Sequence, residues 1–417
     1  MLPMTISTAI QTDLVTPLGA YLALRESGRA SFLLESVEKG RLGRHSLVGA
    51  GSRLVSFDEA EREVAAGSPV VGFLGYDHVA VLEPTVPLPE PGPKLSESRF
   101  VVAETLVRFD HAAASAEVLA GDRDAVATAL ARPVQAPDEN GPLPHGGTRR
   151  FPEQAAYEDA VREAKRLIAA GDAFQVVLSQ RAERPTEVSA VRLYRALRQV
   201  NPSPYLFLLE LGEDLALVGS SPETLVKLTG RRASLNPIAG TTPAGDGDAE
   251  RLLASEKDRA EHVMLVDLGR NDLSRVCRAG TVRVERFLEP ERYSHVTHLV
   301  SEVAGELAPG RTAFDLLRAC FPAGTVSGAP KVRAMQIVSE LEGFRRGPYA
   351  GAVGYALPDG DLDTCIAIRT VVLTPGLARL QAGAGIVADS DPAAEHLECL
   401  SKLAALEAAL DLAEDGP

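Results

Sequence analysis

Tryptophan is absent from this chain of 417 residues, and only four cysteines occur in it. Such widely separated cysteines do not fit a C-x-x-C metal site or the disulfide framework of a small secreted protein. No apolar run approaches the roughly 18 residues that a membrane-spanning helix needs. The first residues, MLPMTISTAIQTDLVTP, lack a basic segment followed by an apolar one. We therefore expect a cytoplasmic protein without a membrane anchor.

Basic side chains are also too few to balance the acidic ones. The chain has 43 Lys and Arg against 57 Asp and Glu, which gives a formal net charge of −14. Nucleic acids and anionic membranes are bound by clustered Lys and Arg. Neither is therefore expected as a partner.

A segment dense in Pro and Gly and poor in apolar residues covers 132–152, with the sequence RPVQAPDENGPLPHGGTRRFP. This composition is typical of a linker or a long surface loop. We expect an N-terminal subdomain over 1–131 and a larger domain over 153–417.

Short apolar segments separated by turn residues predict antiparallel hairpins in the larger domain. YAGAVGYAL, DTCIAIRTVVL and ARLQAGAGIVA are joined only by PDGD and TPG, which is too short for a parallel crossover. Helical spacing runs from Tyr157 to Ile168 and ends at Gly171. Further helices are predicted over Ser255–Leu268, Ala313–Cys320, Ala329–Leu341 and Pro392–Leu412. The predicted class is α+β with large antiparallel sheets.

The stretch LQAGAGIVADSDPAAEHLECLSKL contains Gly383, Gly385 and Ala388 in a G-x-G-x-x-A pattern. A dinucleotide site would also need a second parallel strand and an acid about 20 residues further on. The following helix uses almost all of the remaining chain, so the dinucleotide interpretation is rejected. Strand alternation instead places the two glycines on one face, where they expose bare backbone.

Two predicted helices carry pairs of carboxylates. Glu395 and Glu398 share one side of the last helix with Lys402, and Asp258 and Glu261 are spaced in the same way on an earlier one. Facing carboxylates repel unless a cation lies between them, and Mg²⁺ is bound by one or two protein carboxylates with waters and substrate oxygens. The alternative is a solvated acidic face with a Glu398–Lys402 ion pair.

The segment FPAGTVSGAPK predicts a tight loop before a helix, with an N-terminus that favours an anion and with Thr325 and Ser327 as hydroxyl donors. Arg369 is predicted in the middle of a strand among small residues, where it could clamp a carboxylate, with Tyr349 as a second donor. Glu223 and the histidines of YSHVTHL could transfer protons, although single residues of this kind are more often structural. The substrate implied is a small polycarboxylate.

Nine segments, in one order, closely resemble the chorismate-utilising enzyme family and within it anthranilate synthase component I. They are NPSPYLFLL, SSPETLVKL, PIAGT, KDRAEHVMLVDLGRNDLSRV, ERYSHVTHLVSEVAGEL, FPAGTVSGAPKVRAMQIV, RRGPYAGAVGYA, DTCIAIRT and QAGAGIVADSDP. The resemblance is nearly continuous from Tyr157 to Leu406. It implies a two-sheet sandwich with surrounding helices, and an N-terminal subdomain of regulatory type.

The resemblance implies chorismate as substrate and Mg²⁺ as cofactor. Glu261 and Glu398 match the metal-holding glutamates, with Asp258 and Glu395 as neighbouring or water-mediated ligands. The substrate-binding residues implied by the same motifs are Ala239, Gly240, Thr241, Thr325, Tyr349, Arg369, Ala382, Gly383, Gly385 and Lys402.

Catalytic roles are implied in the same way. Glu223 is similar to the acid that protonates the departing ring-4 hydroxyl, His298 matches the histidine associated with loss of pyruvate, and Thr325 matches a ring-contacting hydroxyl. Family members that add water have a lysine at the position of Gln175, because water needs a base, whereas ammonia already has a lone pair. Gln175 therefore favours amination.

The implied reaction is the conversion of chorismate and ammonia to anthranilate and pyruvate in tryptophan-type biosynthesis. Aminodeoxychorismate synthases carry PIKGT, in which the lysine can form an adduct, but Ala239 occupies that position here. A 2-amino-2-deoxyisochorismate synthase shares most of these residues, and LNPIAGTTPAGDGD lacks the basic residues expected around the motif. A non-catalytic metabolite-binding regulator is the alternative from a different class.

Partners also follow from the resemblance. The sequence has no G-x-C-x-G nucleophile, so ammonia is expected from a separate glutamine amidotransferase subunit in a hetero-oligomer. Tryptophan is a candidate effector, although Leu206 replaces the usual Met of NPSPYMF. The implied effector residues are Glu35, Ser36, Asn201, Pro204 and Tyr205.

Overall fold

The structure, a computed structural model, describes residues 9–36, 44–90, 97–134, 141–243, 245, 247–292 and 296–416. At Ala239, Thr241, Pro243, Lys257 and Val296 it describes the backbone. No helix in these ranges is long and apolar enough to cross a membrane.

The helices of the described ranges differ widely in length, from one turn to 24 residues. They are α1 (Pro17–Leu24), α2 (Phe57–Ala65), α3 (Val79–Leu82), α4 (Arg123–Leu130), α5 (Gln154–Ala169), α6 (Ala190–Val200), α7 (Asp248–Ala254), α8 (Glu256–Ser274), α9 (Ala313–Cys320), α10 (Lys331–Glu342) and α11 (Pro392–Asp415). Short 3-10 helices cover Arg25–Ser27, Tyr76–His78 and Gly324–Val326.

The strands belong to two sheets. They are β1 (Ile10–Gln11), β2 (Ala30–Glu35), β3 (His45–Gly51), β4 (Arg53–Val55), β5 (Val70–Leu74), β6 (Ser98–Val102), β7 (Thr105–Asp110), β8 (Ser115–Ala120), β9 (Arg149–Phe151), β10 (Gln175–Pro185), β11 (Tyr205–Leu211), β12 (Ala216–Ser221), β13 (Thr224–Thr229), β14 (Arg232–Leu235), β15 (Ile238–Pro243), β16 (Arg283–Arg292), β17 (Val296–Glu306), β18 (Gly328–Ala329), β19 (Ala352–Ala356), β20 (Leu362–Ile366), β21 (Thr370–Thr374) and β22 (Leu377–Ile386).

The first sheet has the order β1-β8-β7-β3-β2-β11-β12-β21-β22-β10-β18, and β9 pairs with β10. The second has the order β15-β17-β14-β13-β20-β19-β5-β6-β4, and β16 pairs with β17. Neighbouring strands of the described ranges pair antiparallel, for example β10 with β22 and β19 with β20. The predicted α+β class with large antiparallel sheets is confirmed.

The two sheets pack face to face through one buried cluster. Phe32 and Phe207 of the first sheet and Phe73 and Val353 of the second belong to it. On the outer side of the first sheet, α1, α4, α6 and α11 bury their apolar faces in a second cluster. On the outer side of the second sheet, α2, α8, α9 and α10 form a third. This arrangement is the predicted two-sheet sandwich with surrounding helices.

Strands on either side of the predicted linker pair with one another. β2 pairs with β11 in the first sheet, and β5 pairs with β19 in the second. Residues 1–131 therefore share both sheets with residues 153–417. Within the predicted linker, 135–140 lie outside the described residues, and β9 already belongs to the first sheet. The domain boundary stays a prediction.

The helix predictions agree with the structure in type and differ mainly at the ends. The helix from Tyr157 ends just before Gly171, which adopts a left-handed φ of +89°. The side chain of Ser255 accepts a hydrogen bond from the backbone N–H of Asp258, and α8 continues to Ser274, beyond the predicted end. α10 starts two residues later than predicted, because Ala329 belongs to β18 and Pro330 precedes the first turn.

Candidate active site

The candidate site is built on β22 and on the elements around it. β22 pairs with β10 over ten residues, so that Gly383 lies opposite Ser179 and Gly385 opposite Val177. After β22 the chain turns into α11, whose first turn is capped by Asp391, with Pro392 following it as predicted. The carboxylates of α11 therefore follow directly after the glycine-containing strand.

The two glycines let other side chains approach the strand. A Cβ atom on Gly385 would lie 2.4 Å from Nε2 of Gln175 and 3.7 Å from Oε1 of Glu261. A Cβ atom on Gly383 would lie 2.8 Å from the hydroxyl of Tyr349. The predicted bare backbone is thus the surface against which Gln175, Glu261 and Tyr349 lie. Ala382, the residue before Gly383, is buried and lies opposite Gln180.

The carboxylates of α8 and α11 both reach this part of β22. Glu261 accepts a hydrogen bond of 3.1 Å from Nε2 of Gln175. Lys402 donates to the carbonyl of Gly383 at 2.8 Å and to Oε1 of Glu398 at 2.7 Å. The Glu398–Lys402 ion pair of the alternative interpretation is therefore present, and the side chain of Glu398 is 48% exposed.

Asp258 and Glu395 lie beside these two glutamates along their helices. Glu395 is buried, and Asp258 lies against Gly240, whose Cβ would be 3.2 Å from that of Asp258. Among the described residues, no three of the four predicted carboxylates gather their oxygens within 4.8 Å of one another. One or two carboxylates are what Mg²⁺ takes from a protein that also binds the substrate's oxygens. The donor set fits that ion.

Glu223 is buried immediately after β12, and burial raises its pKa to about 8. The hydroxyl of Thr325, the backbone N–H of Ile238 and the charge of Lys402 act in the opposite direction. In its present orientation, Oγ1 of Thr325 makes no hydrogen bond of normal geometry. Glu223 is therefore largely protonated at neutral pH, which suits a proton donor.

His298 lies on β17 beside the loop that carries Gly240. Its Nδ1 is 3.2 Å from the carbonyl oxygen of Gly240, and burial lowers its pKa. The backbone of Thr241 pairs with that of His298, and Ala239 pairs with Leu299. The register shifts between Ala239 and Thr241, where Gly240 has a left-handed φ of +69°. A neutral imidazole thus lies at this bulge.

The prediction for Arg369 is wrong in its local structure. The segment CIAIRTVV is not one strand, because β20 belongs to the second sheet and β21 to the first. Arg369 lies at the crossing between them with a left-handed φ of +50°, which is uncommon for a residue other than glycine. Such strain clusters at functional sites, where surrounding structure maintains it.

Arg369 has the properties of an anion-binding side chain. Burial lowers its pKa, and the neighbouring hydroxyl of Tyr349 has the opposite effect. In the part of the chain that the structure describes, no carboxylate forms an ion pair with it. A partly buried guanidinium in this state favours a carboxylate from a ligand.

Sequence reasoning missed Arg346 and Glu342, which hold several site elements together. Arg346 stacks on the ring of Tyr349, at 5.6 Å from its centroid, and donates to the carbonyls of Val326 and Val177 at 2.7 Å each. It also forms an ion pair of 2.6 Å with Glu342. The i, i+4 spacing of an acid and an arginine just before GPY could have indicated this pair.

The predicted effector residues come together at the end of β2. Ser36 donates to the carbonyl of Pro204 at 3.0 Å, and Glu35 accepts a hydrogen bond of 2.5 Å from Tyr194. The hydroxyl of Tyr205 is 2.7 Å from that of Thr224. We call Glu35, Ser36, Asn201, Pro204 and Tyr205 the effector region. The segment 37–43, which follows Ser36, lies outside the described residues.

Known proteins resemble this chain over nearly its whole length. A family model described as chorismate binding enzyme matches residues 33–408. Anthranilate synthase component 1 of Thermus thermophilus is 45% identical over 450 residues, covering 97% of each chain. That of Streptomyces coelicolor is 46% identical over 448 residues, covering 96% of this chain and 88% of its own.

Solved structures also resemble this chain over most of its length. Anthranilate synthase component I of Streptococcus pneumoniae superposes with a TM-score of 0.80 at 34% identity, covering 89% of this chain and 94% of its own. The menaquinone-specific isochorismate synthase of Escherichia coli superposes with a TM-score of 0.76 at 22% identity, covering 95% of this chain and 92% of its own. At that identity the second likeness concerns the fold alone.

Proposed function

The chain belongs to the chorismate binding enzyme family, and from this we propose that it is the aminating component of an anthranilate synthase. It converts chorismate and ammonia to anthranilate, pyruvate and water. The observation that carries the choice of amination is Gln175, whose neutral side chain donates to Glu261 at the position where water-adding relatives have a lysine. A buried amide cannot deprotonate water. Ammonia has a lone pair and can attack without first losing a proton.

The substrate's two carboxylates have different partners in this proposal. Arg369 and Tyr349 bind the enolpyruvyl carboxylate, because the guanidinium lacks a carboxylate partner among the described residues and the tyrosine hydroxyl faces Gly383. Glu261 and Glu398 would hold Mg²⁺, which when bound would neutralise charge at the ring carboxylate. Asp258 and Glu395 would orient those ligands or bind water between them.

The buried Oε1 of Gln175 has no hydrogen-bond partner among the described residues. Leaving such a group unpaired costs about 1–3 kcal/mol. It lies at the candidate site, so a polar ligand that satisfies it regains this free energy. The binding proposal therefore explains an otherwise unfavourable feature.

Protonated Glu223 begins the chemistry. It donates its proton to the ring-4 hydroxyl, which leaves as water while ammonia forms a bond to ring carbon 2. Lys402 faces Glu223 and stabilises the carboxylate that remains. In the second half, the proton on ring carbon 2 is removed and the bond from ring carbon 3 to the enolpyruvyl oxygen breaks, which makes the ring aromatic. The released enolpyruvate takes one proton at its methylene carbon and becomes pyruvate. His298 is neutral at pH 7 and is the base for this step.

Ammonia supply and regulation complete the proposal. All four cysteines are buried within the fold, so none offers an exposed nucleophile for hydrolysing glutamine. A separate glutamine amidotransferase subunit supplies ammonia in a hetero-oligomer in the cytoplasm. Tryptophan bound at the effector region inhibits the reaction.

A second candidate product is 2-amino-2-deoxyisochorismate. The observation that favours it is the sequence around PIAGT, where Asn236 and Thr242 occupy positions at which the resemblance leads us to expect basic residues. Pyruvate would then stay attached to the ring.

One incubation separates the two. The purified chain is mixed with chorismate, Mg²⁺ and an ammonium salt at pH 8, and products are separated by mass, with pyruvate measured enzymatically. We expect anthranilate and pyruvate in equal amounts. Accumulation of the aminated, pyruvate-bearing ring would support the second candidate, and absence of both products would reject the enzyme proposal in favour of a regulator.

A further inference from the structure

Two cavities meet at one residue near Glu223. The larger, of about 480 Å³, is lined by charged side chains that include Arg275, Arg318 and Lys331, and the side chain of Arg275 is 51% exposed. The smaller, of about 30 Å³, is lined by Glu223 and Thr325. Asp272, on α8, lines both. It is thus the junction between a solvent-facing cavity and the proposed catalytic acid.

The smaller cavity lies away from the residues proposed to bind the substrate's carboxylates. Its lining, apart from the residues just named, is mostly apolar and includes Leu225, Leu265 and Leu268. Among the described residues, Arg369, Tyr349 and the glycines of β22 do not line it. Glu223 therefore interacts with the charge of Lys402 and also lines a separate small cavity together with Asp272.

Polar residues form part of the lining of the small cavity. Oδ1 of Asp272 is buried and has no hydrogen-bond partner among the described residues. A water molecule needs about 10–15 Å³ of such volume and two to four polar partners. The cavity is large enough, and Asp272 and Glu223, which both line it, supply two partners. Its size and lining match one or two ordered water molecules.

The other oxygen of Asp272 is fully engaged. Lys331 donates to Oδ2 at 2.6 Å and to the carbonyl of Cys320 at 3.2 Å. Burial raises the pKa of Asp272, whereas the charges of Lys331 and Arg275 lower it. The Cys320 thiol also faces Asp272, and burial raises its own pKa well above the usual value. Lys331 therefore fixes the orientation of the carboxyl group and leaves Oδ1 available to a water molecule.

We propose that Asp272 relays protons from the solvent-facing cavity to Glu223 through water in the small cavity, and so restores the acid after each turnover. The proposal rests on the proposed function. Glu223 gives its proton to the leaving hydroxyl, which becomes water, and the carboxylate takes a proton from the cavity water. That water takes one from Asp272, and Asp272 takes one from solvent. The ammonium group formed on the ring returns one proton to solvent, so no net proton is consumed.

The test compares the first turnover with later ones in Asp272→Asn. Glu223 is protonated before the first turnover, so the first equivalent of product should form within about twofold of the unaltered rate. Later turnovers need a new proton, and kcat should fall toward the 10²-fold that one proton-transfer group contributes. KM for chorismate should fall by the same factor, because the slowed step follows the chemistry and kcat/KM is unchanged. Rapid mixing with saturating chorismate, Mg²⁺ and ammonium measures both phases.

Asp267→Asn is the matched control, because Asp267 is an exposed aspartate of the same helix that pairs only with Arg270 at the surface. In this variant the first and the later turnovers should have the same rates as in the unaltered protein. Formic acid should accelerate the slow phase of Asp272→Asn and leave the control unchanged. A first turnover slowed as much as the later ones, or no change in either phase, would overturn the relay.

A second variant tests the relay if Asp272→Asn does not fold. Gly324→Ala adds a methyl group to the lining of the small cavity, 3.2 Å from Leu268 Cδ1, and leaves the Asp272–Lys331 pair intact. As in Asp272→Asn, we expect a first turnover near the unaltered rate followed by slower later turnovers. Equal slowing of both phases, or no change, contradicts the proposal. Failure of the unaltered protein to form any product would instead reject the proposed function.

Discussion

The candidate active site and the effector region both bury polar side chains, but they satisfy them differently. At the active site, Arg369 has no carboxylate partner and Oε1 of Gln175 has no hydrogen-bond partner among the described residues. In the effector region, Glu35 accepts from Tyr194 and also pairs with Arg198 at 3.0 Å. The first region is arranged to receive a polar ligand, whereas the second is largely satisfied by its own residues.

This difference has a consequence for regulation. A ligand at the active site gains hydrogen bonds that the protein otherwise lacks, and each is worth about 1–3 kcal/mol. A ligand in the effector region must replace bonds that already exist, apart from Nδ2 of Asn201, which has no hydrogen-bond partner within the described ranges. Binding there therefore has to change the surroundings of β2 and β11, and these strands belong to the same sheet as β22. That shared sheet is the physical connection through which an effector could act.

The largest effect is expected from Glu223→Gln, which removes the active site's acid without changing its size. Turnover should fall on the order of 10²- to 10⁴-fold, the usual contribution of general acid catalysis. Steady-state rates of anthranilate formation measure it. Unchanged turnover would remove the proposed role of Glu223.

The raised pKa of Glu223 gives a matching pH prediction. Between pH 4.5 and about 8, Glu223 is protonated in the folded protein and ionised in the unfolded chain. Its contribution to stability therefore falls as pH rises through that interval and is constant above it. Glu223→Gln should lack this fall when the unfolding free energies of the two proteins are compared by denaturant titration. In the unaltered enzyme, kcat/KM should decrease above about pH 8 as the acid is lost. Parallel stability curves for the two proteins would contradict the assignment.

The next effect concerns the unpaired arginine. Arg369→Gln should raise KM for chorismate about 10- to 150-fold, corresponding to the loss of about 1.5–3 kcal/mol for a hydrogen bond to a charged group. The control is Arg379→Gln on β22, because Arg379 is already paired with Glu183 at 3.2 Å. KM should respond to the first substitution and hardly to the second. Equal responses would show that pairing does not distinguish the two arginines.

A smaller effect is expected from Gly385→Ala. The added Cβ would be 2.4 Å from Nε2 of Gln175 and would displace the side chain that orients Glu261. Loss of such an outer contact weakens metal binding about 10- to 100-fold. The concentration of Mg²⁺ that gives half-maximal activity should rise accordingly. Gly147→Ala has no neighbour within 4 Å of the new atom and should leave that concentration unchanged.

The smallest effect on catalysis is expected in the effector region. Tyr194→Phe removes the hydroxyl that donates to Glu35, while leaving the ring in the core. Turnover without effector should stay within about twofold, and the inhibitory concentration of tryptophan should change roughly 5-fold, equivalent to about 1 kcal/mol. Inhibition curves at fixed chorismate measure this. A large loss of basal turnover with unchanged inhibition would place this region with the catalytic machinery instead.

Local chemistry made much of this fold predictable. Asp391 and Pro392 mark the start of α11, Gly171 marks the end of α5, and both boundaries agree with the structure within a few residues. Alternation in QAGAGIVA placed Gly383 and Gly385 on one face, which the contacts of both glycines show. These features depend on residues that are neighbours in the sequence, so a short sequence pattern can predict them.

Contacts between segments that are distant in the sequence could not be predicted from a sequence pattern. CIAIRTVV is apolar on both sides of Arg369 and Thr370 and contains no Gly or Pro, so its change of sheet at Arg369 is not visible in the sequence. It is maintained by hydrogen bonds between Ala350 and Ala367 and between Ala367 and Gly351. The pairing of β2 with β11 and of β5 with β19 joins segments that the linker composition appeared to separate. Asp272 was also missed, since only the two cavities give it a place near Glu223.

The central claim is that a cation held by Glu261 and Glu398 binds the substrate's ring carboxylate at the bare strand of β22. Calorimetric titration of chorismate into Glu223→Gln, with and without Mg²⁺, measures this directly, because the variant binds without turning over. The account predicts that Mg²⁺ tightens chorismate binding and that chorismate tightens Mg²⁺ binding by the same factor. Affinities that are independent of one another would contradict it.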